Sequence, residues 1–220
     1  MSIGDNLEQV HFRIKQAAVE GGHRSDQARL IAVSKTRPVE DIEMALGAGQ
    51  RLFGENRVQE AQAKFPALRA AYDDLELHLI GPLQSNKARD AVALFDVIQT
   101  VDRPKIAHAL AKEIKQQGRA VKLFIQVNVG EEPQKAGIAP KELGEFVKLC
   151  RDTCDLEIAG LMCIPPVDEE PSPFFVLLSR LAKEHDIDQL SMGMSADFET
   201  AVQFGADYVR VGTAIFGERT

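Results

Sequence analysis

Short apolar runs rich in β-branched residues alternate along the chain with longer stretches in which apolar side chains recur every three or four positions. The runs fall at 30–34, 51–54, 77–80, 95–100, 122–129, 156–162, 189–192 and 207–211, each with the length and composition of a strand. Helical spacing marks 39–46, 58–68, 87–94, 104–117, 141–153, 174–184 and 196–204 between them. One further helix, 5–20, precedes the first strand: Leu7, Val10, Ile14, Ala17 and Ala18 share a face, and Gly21-Gly22 supplies its stop. Strands joined by helical crossovers must run parallel. Eight such units in 220 residues close most naturally into one (β/α)8 TIM barrel spanning 1–220, with an added N-terminal helix.

Composition narrows the partners. The 45% hydrophobic and 27% charged content is that of an ordinary globular domain. A formal charge of -7 argues against general affinity for nucleic acid or anionic membrane, so any phosphate it takes is expected to be small. No apolar run approaches a membrane span and the opening MSIGDNLEQV is polar, so a cytoplasmic location is expected. Cys150, Cys154 and Cys163 form an odd set without a CxxC, which suggests neither a disulfide framework nor a metal site. Cys150 and Cys154 share a helix face and read as buried thiols before a reactive pair. The one Pro/acid-rich loop, IPPVDEEPSP at 164–173, follows the sixth strand.

In this fold the chemistry lies at the C-terminal ends of the strands, with phosphate commonly bound after strands seven and eight. After the seventh run comes SMGMSADF, where Ser195 reads as a helix N-cap with Asp197 in the first turn. The eighth ends in RVGTAIFG, where Gly212 permits close backbone approach and Thr213 adds a hydroxyl. Each alone is an ordinary cap or turn. Together, at these two places, they predict a phosphate cup. The first strand, LIAVSKTRP, puts Ile31, Val33 and Lys35 on one side, so Lys35 points into the barrel mouth if the other two fill the barrel. A lysine at its ordinary pKa is neutral in roughly one molecule in 2,500 at pH 7, and burial would raise that fraction and make it a nucleophile. A lysine paired with a carboxylate, or serving as a point charge on phosphate, fits the same spacing. An amine facing a phosphate cup suits a phosphorylated aldehyde held as an imine. Pyridoxal 5′-phosphate meets that description, and so does a sugar phosphate on a class I aldolase.

Six blocks in order, AVSKTRP (32–38), FGENRVQEA (53–61), HLIGPLQSNK (78–87), GLMCIPP (160–166), SMGMSADFETAV (191–202) and VRVGTAIFG (209–217), resemble the pyridoxal phosphate homeostasis family, also called the proline synthase co-transcribed family. The resemblance implies a barrel similar to the N-terminal domain of bacterial alanine racemase, holding pyridoxal 5′-phosphate as an internal aldimine on Lys35. It also implies that Ser195, Gly212 and Thr213 contact the phosphate, that Asn56 lies close to the cofactor, that Arg210 faces the pyridine nitrogen, and that His78 and Met162 line the cup. On residue chemistry alone, Arg210 reads sooner as an ion-pair partner or a cation at a helix C-terminus and His78 sooner as a core histidine, while Asn56 also fits a turn. An arginine stays protonated, so a ring nitrogen opposite it stays unprotonated and the ring is a weak electron sink.

The function implied is a carrier that holds the cofactor, limits the free aldehyde and delivers it to apoenzymes, without robust turnover. An amino-acid racemase is the alternative. It needs an acid/base group on each cofactor face, and in the resembling racemases a further domain of the partner subunit brings a tyrosine, for which this chain has no room. Its own two tyrosines offer little: Tyr72 lies in a polar connection and Tyr208 near the start of the last strand. A monomer is expected, with no metal.

Overall fold

The computed structural model describes residues 2–218. Among them, strands β1 (Arg29–Val33), β2 (Leu52–Glu55), β3 (Glu76–Leu79), β4 (Val97–Val101), β5 (Lys122–Val127), β6 (Ile158–Cys163), β7 (Gln189–Met194) and β8 (Tyr208–Val211) close in sequence order into a parallel barrel. Closure comes from β8 returning to β1, with Arg29 opposite Tyr208 and Ala32 opposite Val211. The sheet therefore has no exposed edge. The expected strands are present with shifted ends. Phe95, for example, closes the preceding helix instead of opening β4.

Around the barrel lie α1 (Ile3–Glu20), α2 (Val39–Gly47), α3 (Val58–Ala71), α4 (Ala88–Leu94), α5 (Pro104–Gln117), α6 (Leu143–Lys148), α7 (Ser172–Glu184), α8 (Phe198–Gln203) and α9 (Thr213–Phe216). The helix expected over 141–153 is divided. A 3-10 turn (Pro140–Glu142) leads into α6, which widens into a π-helical turn (Leu149–Thr153) closed by the Cys154 N–H on the Leu149 carbonyl. A single π turn adds one residue to one turn and leaves the helical spacing on its N-terminal side unchanged, so the sequence pattern does not reveal it.

The helix after β8 has only four residues, too few to cover its strand. The N-terminal helix fills that place, packing on α8, α9 and α2. Its apolar stripe of Leu7, Val10, Ile14, Ala17 and Ala18 is buried. Arg13 grips Glu199 of α8 through both carboxylate oxygens, and Asn6 Nδ2 donates to the Ile215 carbonyl of α9. A capping box of Ser2 and Asp5 fixes where the helix starts.

Most of the core lies between strands and helices. A smaller apolar cluster of Ile31, Val97, Phe124, Met162 and Tyr208 fills the barrel itself. It fits only because residue 160 is glycine: a Cβ there would lie 2.1 Å from the Phe124 ring. All three cysteines are buried and free, and burial pushes the Cys150 and Cys163 thiols up to about 12. No helix among the described residues is long and apolar enough to cross a membrane.

Since α1 completes the outer layer, Ile14→Ala is expected to destabilise the whole domain by about 2–5 kcal/mol, the range for a buried isoleucine cut to alanine. Denaturant unfolding measures it. A loss below about 0.5 kcal/mol, typical of surface changes, would show that α1 lies outside the cooperative unit.

Candidate functional site at the barrel mouth

All eight strands point the same way, so the residues that follow them gather at one end. Lys35 comes just after β1, Asn56 directly after β2, Ser195 directly after β7, and Gly212 and Thr213 directly after β8. The mouth thus collects five of the eight residues expected to form the site. Lys35, Asn56, Ser195 and Gly212 are half-buried and Thr213 is exposed. The loops after β2 and β3 enclose a cavity of about 650 Å³ whose wall includes Asn56, Arg57 and Lys87. A second cavity of about 700 Å³, lined by Asp96, Asp155 and Asp188 among others, lies at the opposite, N-terminal ends of the strands. The fold keeps its chemistry at the first end.

Ser195 does not cap α8. The helix starts at Phe198 after Asp197, whose carboxylate accepts from the Met194 N–H at 2.6 Å and closes the turn itself. The Ser195 hydroxyl is directed sideways instead, accepting from the Gly212 N–H at 3.3 Å. The turn is reachable because residue 193 is glycine: its φ is +89° and a Cβ would lie 2.5 Å from that of Ala201. Gly212 packs against the end of β1, where an added Cβ would sit 3.3 Å from Val33. Hydroxyls and backbone N–H groups from β7 and β8 therefore form one rim beside the turn that carries Lys35.

That turn is clamped from below. Ser34 Oγ donates to Glu55 Oε1 at 2.7 Å, and Lys64 Nζ of α3 reaches the same oxygen at 2.7 Å. Lys64 also donates to the Ser34 carbonyl and to Glu60 Oε1, both at 2.9 Å. Glu60 Oε1 in turn accepts the Thr36 N–H. Lys35 thus sits between two residues whose backbones are tied to a buried ion cluster. Thr36 is held at φ 63°, a left-handed conformation uncommon for a β-branched residue. Burial raises the Glu55 carboxyl above its usual range against the opposing pull of Lys64.

His78, Met162 and Arg210 lie in the barrel interior. Met162 belongs to the apolar cluster there. His78 is buried against Tyr208, with ring centroids 5.5 Å apart, and bonds Glu76 through Nε2 and Gln99 through Nδ1. Burial pushes its pKa down, so it is neutral at pH 7. Burial alone would raise Glu76. The hydrogen bond from His78 and the adjacent Arg29 guanidinium prevail and bring it down to about 2. Arg210 is buried and donates to Ser191 Oγ at 2.7 Å and to the Cys163 carbonyl at 2.8 Å. Burial lowers its pKa, yet a guanidinium remains a donor-only cation.

Ser34, Glu55, Glu60, Lys64, Gln99 and Ser191 escaped sequence reasoning. Their signal was present in part: Lys64 falls among Val58, Ala61, Phe65 and Leu68 on the buried face of α3, and a buried cation requires an anion nearby.

Known proteins share this fold and sequence. The family described as alanine racemase, N-terminal domain, matches residues 6–220. The pyridoxal phosphate homeostasis protein of Pasteurella multocida is 40% identical over all of this chain and 98% of its own length. PipY of Synechococcus elongatus, solved without and with pyridoxal phosphate bound, is 38% identical, with TM-scores of 0.87 and 0.81 over 98% of this chain and 100% of that one. An alanine racemase from Corynebacterium glutamicum shares the fold at a TM-score of 0.70 and 19% identity, and 64% of its chain is covered.

Two predictions follow from the ion clusters. Lys64→Met leaves Glu55 buried without its cation and is expected to cost about 3–5 kcal/mol, much of it restored by adding Glu55→Gln; urea unfolding of both variants decides. Glu76 has a folded-state pKa below its ordinary 4.5, so its contribution is full above that value and is lost as pH falls toward about 2. The stability gap between wild type and Glu76→Gln should narrow over that window. A gap independent of pH would assign the role to shape alone.

Proposed function

Because this chain belongs to the alanine racemase N-terminal domain family, among the pyridoxal phosphate homeostasis proteins, we propose that it holds pyridoxal 5′-phosphate reversibly through Lys35 and thereby buffers the cofactor in the cytoplasm. The observation that carries this reading is the convergence of one lysine with the Ser195, Gly212 and Thr213 rim at a single mouth. The donor set fits the group: two hydroxyls and backbone N–H groups suit a phosphate, a primary amine suits an aldehyde, and an arginine beneath suits a ring nitrogen without a proton. When bound, the cofactor supplies an electrophilic aldehyde and an electron-withdrawing ring.

The protein's own residues do the holding. Lys35 provides the amine for a reversible covalent bond, and the clamp of Ser34, Glu55, Glu60 and Lys64 fixes where that amine stands. Ser195, Gly212 and Thr213 bind the phosphate, and Asn56 borders the same mouth. Arg210 offers only donors and no proton to transfer at neutral pH.

Turnover would need a second proton donor on the far face. Tyr208 is unsuited to that task, since it is buried and its hydroxyl accepts from Arg29 at the base of the barrel. Tyr72 ends α3 beneath Arg51, equally far from the mouth. The chain acts on this reading as a monomeric carrier that passes cofactor transiently to apoenzymes. A rim that solvent reaches at Thr213 and a reversible bond suit release as well as capture.

A visible absorption spectrum after adding pyridoxal phosphate, then borohydride reduction and peptide mapping, tests the proposal. The expected result is a yellow species with the label on Lys35. Absence of colour, or a label on another lysine, would bring the sugar-phosphate aldolase reading forward. Lys35→Ala should lose the colour and keep weak binding through the phosphate rim. Thr213→Ala should weaken binding by roughly 1.5–3 kcal/mol, the worth of one hydrogen bond to a charged group; unchanged affinity in a titration would place the phosphate elsewhere.

A further inference from the structure

The barrel interior holds a second polar system, separate from the clamp. Starting at the mouth, Arg210 Nη1 donates to Ser191 Oγ at 2.7 Å, Ser191 Oγ donates to Gln99 Oε1 at 2.6 Å, Gln99 Nε2 donates to His78 Nδ1 at 3.0 Å, and His78 Nε2 donates to Glu76 Oε1 at 2.8 Å. The line crosses β8, β7, β4 and β3, and Glu76 at its far end also accepts from Arg29 at 3.1 Å. His78, Gln99, Ser191 and Arg210 are all buried.

Its direction is set by chemistry at both ends. An ionised carboxylate only accepts, so His78 must present N–H at Nε2 to Glu76. A neutral imidazole then has only a lone pair at Nδ1, which requires the amide nitrogen of Gln99. The Gln99 oxygen is thereby turned toward Ser191, whose hydroxyl must give its proton to it. The serine lone pair that remains faces Arg210, which can only donate. Every hydrogen in the line points away from the arginine and toward the carboxylate. Reversing any single member would set two donors or two acceptors against each other in a dry interior, at the cost of an unmet buried polar group.

We propose that Ser191, Gln99, His78 and Glu76 are positioning residues for Arg210, acting as one hydrogen-bonded line that fixes the guanidinium at the floor of the mouth. The line has no hydrogen to pass toward the mouth. On the reading of the site as a pyridoxal phosphate holder, on which this use of the line rests, it keeps a fixed, donor-only cation under the cofactor ring.

The test separates the line from the cofactor reading. In cofactor-free protein, nitrogen NMR of the imidazole rings, with His78 assigned by its loss in His78→Gln, is expected to show His78 as the Nε2–H tautomer. Gln99→Glu places an acceptor opposite Nδ1 and should add a proton there. In protein loaded with pyridoxal phosphate, Ser191→Ala should shift the visible band and Ser191→Thr, which keeps the hydroxyl, should return it. A wild-type His78 protonated at Nδ1, or exchanging between tautomers, would overturn the line without needing any variant to fold. An unshifted band in folded Ser191→Ala would overturn its role at the mouth. No colour in wild type, together with the expected His78 signature and its response to Gln99→Glu, would support the line and remove the cofactor reading alone.

Discussion

The pairing of β8 with β1 is the constraint on which the site depends. Leu30 lies opposite Val209 and Ile31 opposite Arg210, so the two ends of the described chain become neighbours in one sheet. Without that seam, the turn bearing Lys35 and the rim of Ser195, Gly212 and Thr213 would have no fixed relation. Parallel direction supplies the second half of the constraint. Since no strand is reversed, every strand hands its last residues to the same mouth, and the residues collected there come from loops held by a rigid frame.

Much of this was legible in the sequence, for a physical reason. Strands of a parallel barrel are covered on both faces and so read as continuous apolar runs, and the helices between them bury one stripe. The turn after β7 was less legible. A serine at the start of a helical pattern reads as its cap, whereas the helix begins three residues later, Asp197 closes the turn and Ser195 is left to bond Gly212 across two strands. That hydrogen bond is tertiary and has no local signature. Lys64 and Glu55 were hidden differently, because long charged side chains are assigned to solvent by default and their burial is settled by each other. Gln99, in the run VIQTV, carries no mark in sequence that it meets His78 and Ser191 inside a barrel.

The two buried polar systems divide one task. The cluster of Ser34, Glu55, Glu60 and Lys64 holds backbone, fixing the turn from which an amine projects. The line from Arg210 to Glu76 holds a side chain, fixing a cation in the barrel interior that the cluster of Met162 and Phe124 also fills. Apart from Ser34, which belongs to the turn itself, their members lie in strands or in α3 and not in the loops, which gives the mouth its shape before any ligand arrives. Burial of polar groups at this density is tolerable only where nearly all are matched, and that requirement ties the two systems to the closed barrel.

The N-terminal helix has a bearing on how the chain comes into being. Its apolar stripe is covered by α8 and α9, which lie at the other end of the sequence. On a ribosome, α1 emerges long before α8 and α9, so the part of its apolar stripe that they cover waits for its native cover until both have been made. Contacts so distant in sequence form late because loop closure must precede them. Docking of α1 is therefore a closing event of folding. Until it happens, the nascent chain carries an amphipathic helix whose apolar stripe is only partly covered, the kind of surface that chaperones shield.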